Sequence, residues 1–494
     1  MNRPLSIAAL LAVLALVFAA PAGANSSLKI GVDDDGLLQR TPQTTSPVAA
    51  QWQQNGVDQS RLTLVWTRIA PNPTGSKMPA GFNPRDPNSP GYTWGDVDRA
   101  IAALEANKID VSIAVAAPNP YWASLVPSRR SKTYKPNPKA LGDFIYAIAT
   151  RYKGRVSSYI PMNEPNLWQY ITPQYSCTSK SAKSCTLAGA AIYRDLYRSA
   201  YSAVKSADPA AAVWIGALAP HGRPGISPTA SSPGPLAFFQ AMACVKSNYA
   251  IDTKSPGCKS YKPLLTDGIA HHPHTVMLSP TQRDPGDAIT TANISALATI
   301  FDRLQAKGRI LNGTAAGADQ KFKKLDLYLD EYGVQTNPPD KLQGLSLTKQ
   351  DEYYQQVAYM MWKNPRVKLL AFYLWYDEPE TQGKFWAWQS GMYFSSGEIK
   401  PSGQSFQHPF WVDLPKGSKI ATVWGQVRPA YSGKVIVQSR HGSSGPFTTL
   451  KTLPTSGDGY FSFKTTVSSK RSFRFLYGSP AQSSEVRTVT PRRK

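Results

Sequence analysis

At 494 residues the chain exceeds what one hydrophobic core usually serves, which excludes a single small domain and points to a large domain plus a smaller one. The formal net charge of +23 draws such a chain to anionic partners, whether wall polymers, acidic polysaccharides or nucleic acid. Charge selects none of these by itself, and specific nucleic-acid binding is set aside because no reading element accompanies it.

The N-terminus reads as an export signal. Arg3 precedes an apolar run over 5–20, and Pro21-Ala22-Gly23-Ala24 supplies an A-x-A cleavage site. Residues 1–24 are therefore expected to be removed, leaving a secreted protein, extracellular or associated with the cell wall. The run is shorter than the roughly 20 apolar residues of a membrane span, and no later stretch is long and apolar enough to be one.

From there the chain alternates short apolar, β-branched runs with helical patterns, as a parallel sheet with crossover helices does. Eight runs stand out, at 28–33, 61–66, 109–116, 156–163, 212–218, 268–271, 325–331 and 368–375. Between them Val97, Ile101 and Leu104 share one helical face, as do Leu141, Phe144, Ile145 and Ile148. No Gly-rich phosphate loop follows the first run, so the expected fold class is α/β, a (β/α)8 TIM barrel over 25–410. Pro-, Gly- and Ser-rich stretches at 71–90 and 220–235 read as elaborations of its rim. The four cysteines form two local pairs, Cys177 with Cys185 and Cys244 with Cys258. In an exported chain this favours disulfides over metal binding or free thiols.

After about residue 409 the period changes to two. Phe461, Phe463, Thr465 and Val467 fall on one strand face, and Phe473, Phe475 and Tyr477 on another. A small antiparallel β-sandwich over 411–494 is expected. It carries 14 Lys and Arg against 3 Asp and Glu, so an anionic cell-wall polymer is its expected partner.

Two glutamates close barrel strands. Strand four runs into Pro161-Met162-Asn163-Glu164-Pro165-Asn166 and strand seven into Leu329-Asp330-Glu331-Tyr332-Gly333. In a parallel barrel both reach the same C-terminal rim. Here the chain resembles the clan A retaining glycosidases, and among them the cellulase-like and xylosidase-like branches, families five and thirty-nine. The resemblance covers residues 25 to about 410. It implies that Glu164 is the acid/base, that Glu331 is the nucleophile and that Asn163 bonds the sugar 2-hydroxyl. Arg61, opening strand two, stands where clan members carry an arginine bonded to the nucleophile. Gly268-Ile269-Ala270-His271-His272-Pro273-His274 resembles the clan's His-x-Tyr stretch, with His274 where tyrosine is usual.

Aromatic platforms suit the apolar faces of sugars, and Trp66, Trp122, Trp168 and Trp375 lie at or just after strand ends. Trp375 matches the tryptophan that clan members place under the reacting sugar. Asp377, Glu378 and a loop with Phe385, Trp386 and Trp388 would shape the same pocket. The clustered histidines lack zinc spacing, so no metal is expected, and the chemistry needs no cofactor. The resemblance implies hydrolysis of a β-glycoside or other 1,2-trans linkage in an oligo- or polysaccharide. The alternative is a non-catalytic polysaccharide- or wall-binding protein on the same scaffold.

Overall fold

The computed structural model describes residues 27–39, 41–379 and 387–492. The expected leader, Phe385 and Trp386 lie outside the described residues. Eight parallel strands close into a barrel: β1 (Lys29–Asp33), β2 (Gln59–Val65), β3 (Asp110–Ala116), β4 (Ser158–Ile160), β5 (Ala212–Leu218), β6 (Gly268–His271), β7 (Leu327–Tyr332) and β8 (Val367–Tyr373). Closure is made by β8 against β1, in register from Lys29 with Leu369 to Asp33 with Tyr373.

One principal helix follows each strand, in order α1 (Pro42–Gln54), α2 (Gly95–Ala106), α3 (Pro138–Arg151), α4 (Ala188–Ala207), α5 (Pro235–Met242), α6 (Ile294–Ala306), α7 (Leu347–Trp362) and α8 (Pro401–Ser405). The apolar stripes of α2 and α3 are buried as their spacing predicts. At the start of α3, Asn137 accepts from the N–H groups of Lys139 and Ala140, and Pro138 occupies the first turn, where its missing N–H costs nothing.

Three strands end earlier than their sequence suggests, β2 by a single residue, at Val65. β4 stops at Ile160 because Pro161 has no N–H to offer a ladder. The chain beyond it still runs between its neighbours: Asn163 N–H donates to Val115 O at 2.8 Å and Glu164 N–H to Ala217 O at 2.9 Å. β8 stops at Tyr373, two residues short of Trp375.

The C-terminal part forms two antiparallel sheets. One joins β9 (Phe410–Asp413), β10 (Ile420–Gln426) and β13 (Tyr460–Thr466). The other joins β11 (Lys434–His441), β12 (Thr448–Pro454), β14 (Arg471–Tyr477), β15 (Gln482–Ser483) and β16 (Arg487–Val489). Phe461, Val467, Phe473, Phe475 and Tyr477 fill the space between them with Phe410, and the Phe461 and Phe475 rings meet edge to face at 4.9 Å. Both cysteine pairs are disulfides, Cys177–Cys185 and Cys244–Cys258.

The sheets are fastened to the barrel by apolar contact. Trp424 of β10 and Tyr460 of β13 pack into the barrel core, with Trp424 against Tyr359 and Trp362 of α7. Tyr460 OH donates to Leu28 O at 3.0 Å, just ahead of β1. Because this indole is fully buried, Trp424→Ala should cost about 3 to 5 kcal/mol in chemical denaturation. Barrel and sheets should unfold in one transition in the unaltered chain; two separate transitions would show that this contact does not couple them.

Candidate active site

Side chains that point into the barrel near the strand C-termini are charged, and they converge on one guanidinium. Arg61, on β2, is buried with its side chain 1 % exposed. Nη1 donates to Glu331 at 2.5 Å and also to Asp33, Nε lies 3.2 Å from Asp330, and Nη2 donates to Asn163 Oδ1. Asp33 closes β1 and is the register partner of Arg61, Asp330 and Glu331 are consecutive on β7, and Asn163 follows β4. One cation thus ties together three strands and the turn that carries Glu164.

His272, just past β6, lies opposite. Its Nδ1 is 3.1 Å from Glu164 Oε1 and 3.4 Å from Glu331 Oε2, and its Nε2 is 3.4 Å from Asp330. The nearest oxygens of Glu164 and Glu331 therefore lie no further apart than 3.1 and 3.4 Å laid end to end. Glu164 itself has a positive φ of 40°, a conformation uncommon for a side chain of this kind and found where the surrounding structure imposes it.

These contacts set the charges. Burial opposes ionisation of Glu331, but the charges of His272 and Arg61 and a hydrogen bond from His274 outweigh it and hold the carboxyl well below the usual range. Burial would likewise lower His272, yet Glu331 and Asp330 push it up to about 10. Gly333 N–H donates to His274 Nδ1 at 3.0 Å, which leaves the ring proton on Nε2, 3.5 Å from Glu331. His272, His274 and Glu331 offer atoms within 4.8 Å of one another, the spacing of a metal site. Each imidazole turns one ring nitrogen toward Glu331, at 3.4 and 3.5 Å.

Beyond Glu331 the mouth is aromatic. The Trp388 ring, 37 % exposed, lies 5.6 Å from His274 and 5.5 Å from Tyr373. Tyr170, six residues after Glu164, hydrogen-bonds to Asn163; burial, then the charges of Glu164 and Glu331, hold its phenol proton firmly.

Two expected sugar platforms are corrected. Trp375 is 0 % exposed, packed on Trp52 and Phe406 with its N–H on Gln51; β8 ends before it, and the chain turns it into the core behind α1. Trp66 is 1 % exposed and stacks on Phe144 of α3, because the chain leaves β2 at Val65 and enters a short helical turn. Trp122 packs edge-on to Trp66. Trp168 is half-buried, four residues beyond Glu164, with its backbone N–H on Ser232 Oγ. Tyr170, Tyr373, Asp33 and Asp35 are the mouth residues that sequence reasoning passes over. The run Asp33-Asp34-Asp35 at a strand C-terminus was a usable signal for two of them.

No family model and no curated protein matches the sequence. Among solved structures, the fold is similar to that of a family 39 glycoside hydrolase from the gut symbiont Bacteroides cellulosilyticus WH2, with a TM-score of 0.50 and 14 % identity over 90 % of this chain and 80 % of that one. A glucosidase from Croceicoccus marinus aligns over 95 % of this chain and 98 % of its own at 12 % identity and a TM-score of 0.47. The expected likeness to clan A glycosidases thus holds at the level of fold.

The histidine makes a measurable prediction. His272 carries its proton to about pH 10 in the fold against an ordinary 6.5, so its contribution to stability is complete below pH 6.5 and is lost as pH rises toward 10. The thermal unfolding midpoint should fall across that window, and His272→Asn should flatten the fall. An equally steep fall in the variant would show that this ring is not the charge responsible.

Proposed function

We propose that the protein is a retaining glycoside hydrolase acting outside the cytoplasm on a 1,2-trans glycoside of an oligo- or polysaccharide. The observation that carries this reading is the meeting of Glu164 and Glu331 at one imidazole nitrogen, 3.1 and 3.4 Å away. Retaining enzymes hold their two carboxyl groups roughly 5 to 5.5 Å apart, and inverting enzymes roughly 6.5 to 9.5 Å, to admit a water between. Oxygens that both touch one nitrogen favour the closer class.

The roles follow from the electrostatics. Glu331 is kept ionised by Arg61, His272 and His274, as a nucleophile must be, and attacks the anomeric carbon. Glu164, reachable from solvent at 15 % side-chain exposure, delivers its proton to the leaving oxygen. With Glu331 esterified and its charge gone, Glu164 then takes a proton from the water that releases the sugar. In this reading Asn163, whose Oδ1 accepts from Arg61, bonds the sugar 2-hydroxyl, and Trp388, exposed beside His274 and Tyr373, offers an apolar face, with Trp168 a further candidate. The two disulfides accord with an oxidising compartment.

An activated 2-deoxy-2-fluoro glycoside should label Glu331 covalently, as located by peptide mass spectrometry. Glu164→Gln should lower turnover of an unactivated glycoside by about 10² to 10⁴, and Glu331→Gln should prevent labelling. Full activity in both variants, or a label on another residue, would contradict the assignment.

A further inference from the structure

Asp35 belongs to the mouth and has no part in the mechanism above. Its Oδ1 accepts from Thr63 N–H on β2 at 3.1 Å. Thr63 lies two residues beyond Arg61, whose register partner is Asp33. With side chains alternating along a strand, Asp35 and Thr63 sit one layer nearer the opening than Asp33 and Arg61. The side chain is half-buried, and among the described residues its other oxygen has no hydrogen-bond partner and no ion pair.

A second carboxylate stands on the β8 side. Glu378 accepts from Trp388 N–H at 2.7 Å and likewise has no ion pair among the described residues. Tyr373 marks the space between: after burial, the charges of Glu331, Asp35 and Glu378 are what hold its proton. Among the described residues, the nearby cations Arg61 and His272 are already engaged one layer down by Asp33, Asp330 and Glu331. The level at which a sugar would lie on Glu331 therefore carries, among the described residues, two carboxylates without an ion pair, with the Arg61 charge reaching Asp35 only from the layer below, the opposite sign to a chain of net charge +23.

We infer that Asp35 is a specificity-determining residue that accepts hydrogen bonds from the hydroxyl or ammonium groups of the sugar attached to Glu331, so that the site takes a neutral or amino sugar there and rejects an anionic one. The inference rests on the glycosidase reading and adds the sugar class to it. A carboxylate can only accept, so it rewards donors on the sugar; a uronate or sulfate would place like charge beside the half-buried Asp35 and Glu378, where repulsion is stronger than in bulk water.

The test uses the full chain and matched pairs of aryl glycosides, identical in ring and anomeric configuration and differing only in hydroxymethyl or carboxylate at C6. The neutral member of a pair should exceed the uronide in kcat/KM by about tenfold or more. Asp35→Asn, which keeps the side chain's shape, should lower the neutral value about tenfold and narrow the ratio; Glu378→Gln should narrow it too. A second readout needs no turnover: a polyhydroxylated piperidine with a hydroxymethyl group should raise the thermal midpoint of the unaltered chain more than its carboxylate counterpart, and Asp35→Asn should reduce that difference. A preferred uronide, or a ratio and midpoint difference untouched by Asp35→Asn, would overturn the inference alone. A chain that hydrolyses no member of any pair and takes no label on Glu331 overturns the glycosidase reading, and this inference with it.

Discussion

A single buried guanidinium organises the upper half of this barrel. Removing an arginine from water costs several kcal/mol unless its donors are met by well-placed acceptors. Arg61 meets that cost with hydrogen bonds to Asp33, Glu331 and Asn163 and an ion pair with Asp330, which come from β1, β7 and the turn after β4. The dependence is mutual. Without Arg61, Asp33 and Glu331 would each lose a buried partner, and an uncompensated buried charge is among the most destabilising features a fold can carry. The pairing that stabilises the barrel mouth is therefore the same pairing that keeps Glu331 ionised and aimed.

The two ends of the barrel are built on different physics. Toward the strand N-termini the barrel is filled by aromatic packing, with Trp214 of β5 stacked on Tyr328 of β7 at 3.8 Å. Gly268, opening β6, makes room for that pair; a Cβ there would lie 2.4 Å from the Tyr328 ring and 2.9 Å from Trp214. Toward the C-termini, fixed charges replace hydrophobic packing, and His272 completes the ring between Glu164, Asp330 and Glu331. A close-packed floor supports a polar mouth whose groups cannot relax away from one another. This is the preorganisation that charge-separating chemistry requires.

Much of the architecture was legible because parallel barrel strands are buried on both faces and read as continuous apolar runs. All eight runs found their strands, and the period-two pattern of Phe473, Phe475 and Tyr477 found its sheet. Glu164 and Glu331 were legible as strand-terminal carboxylates beside local motifs. The aromatic platforms were not, because a tryptophan's role depends on where its strand stops. Trp375 and Trp66 lie just beyond the ends of β8 and β2, and a difference of one or two residues sends each ring into the core. Asp35 was missed for a related reason: three consecutive aspartates resemble a solvated turn until β2 supplies the N–H that holds one of them inward. Net charge carried no information about the barrel mouth, since a strongly cationic composition says nothing about the sign of one concavity.

Everything chemical in this account depends on Glu331 lying close enough to the anomeric carbon to bond it while Glu164 serves both steps from the other side. The most direct measurement is the configuration of the first product, followed by proton NMR of the anomeric resonance before mutarotation erases it. Attack by Glu331 followed by water should first yield, from a 1,2-trans glycoside, the anomer with the configuration of the substrate. First appearance of the opposite anomer would mean that water attacks directly, and would contradict the account.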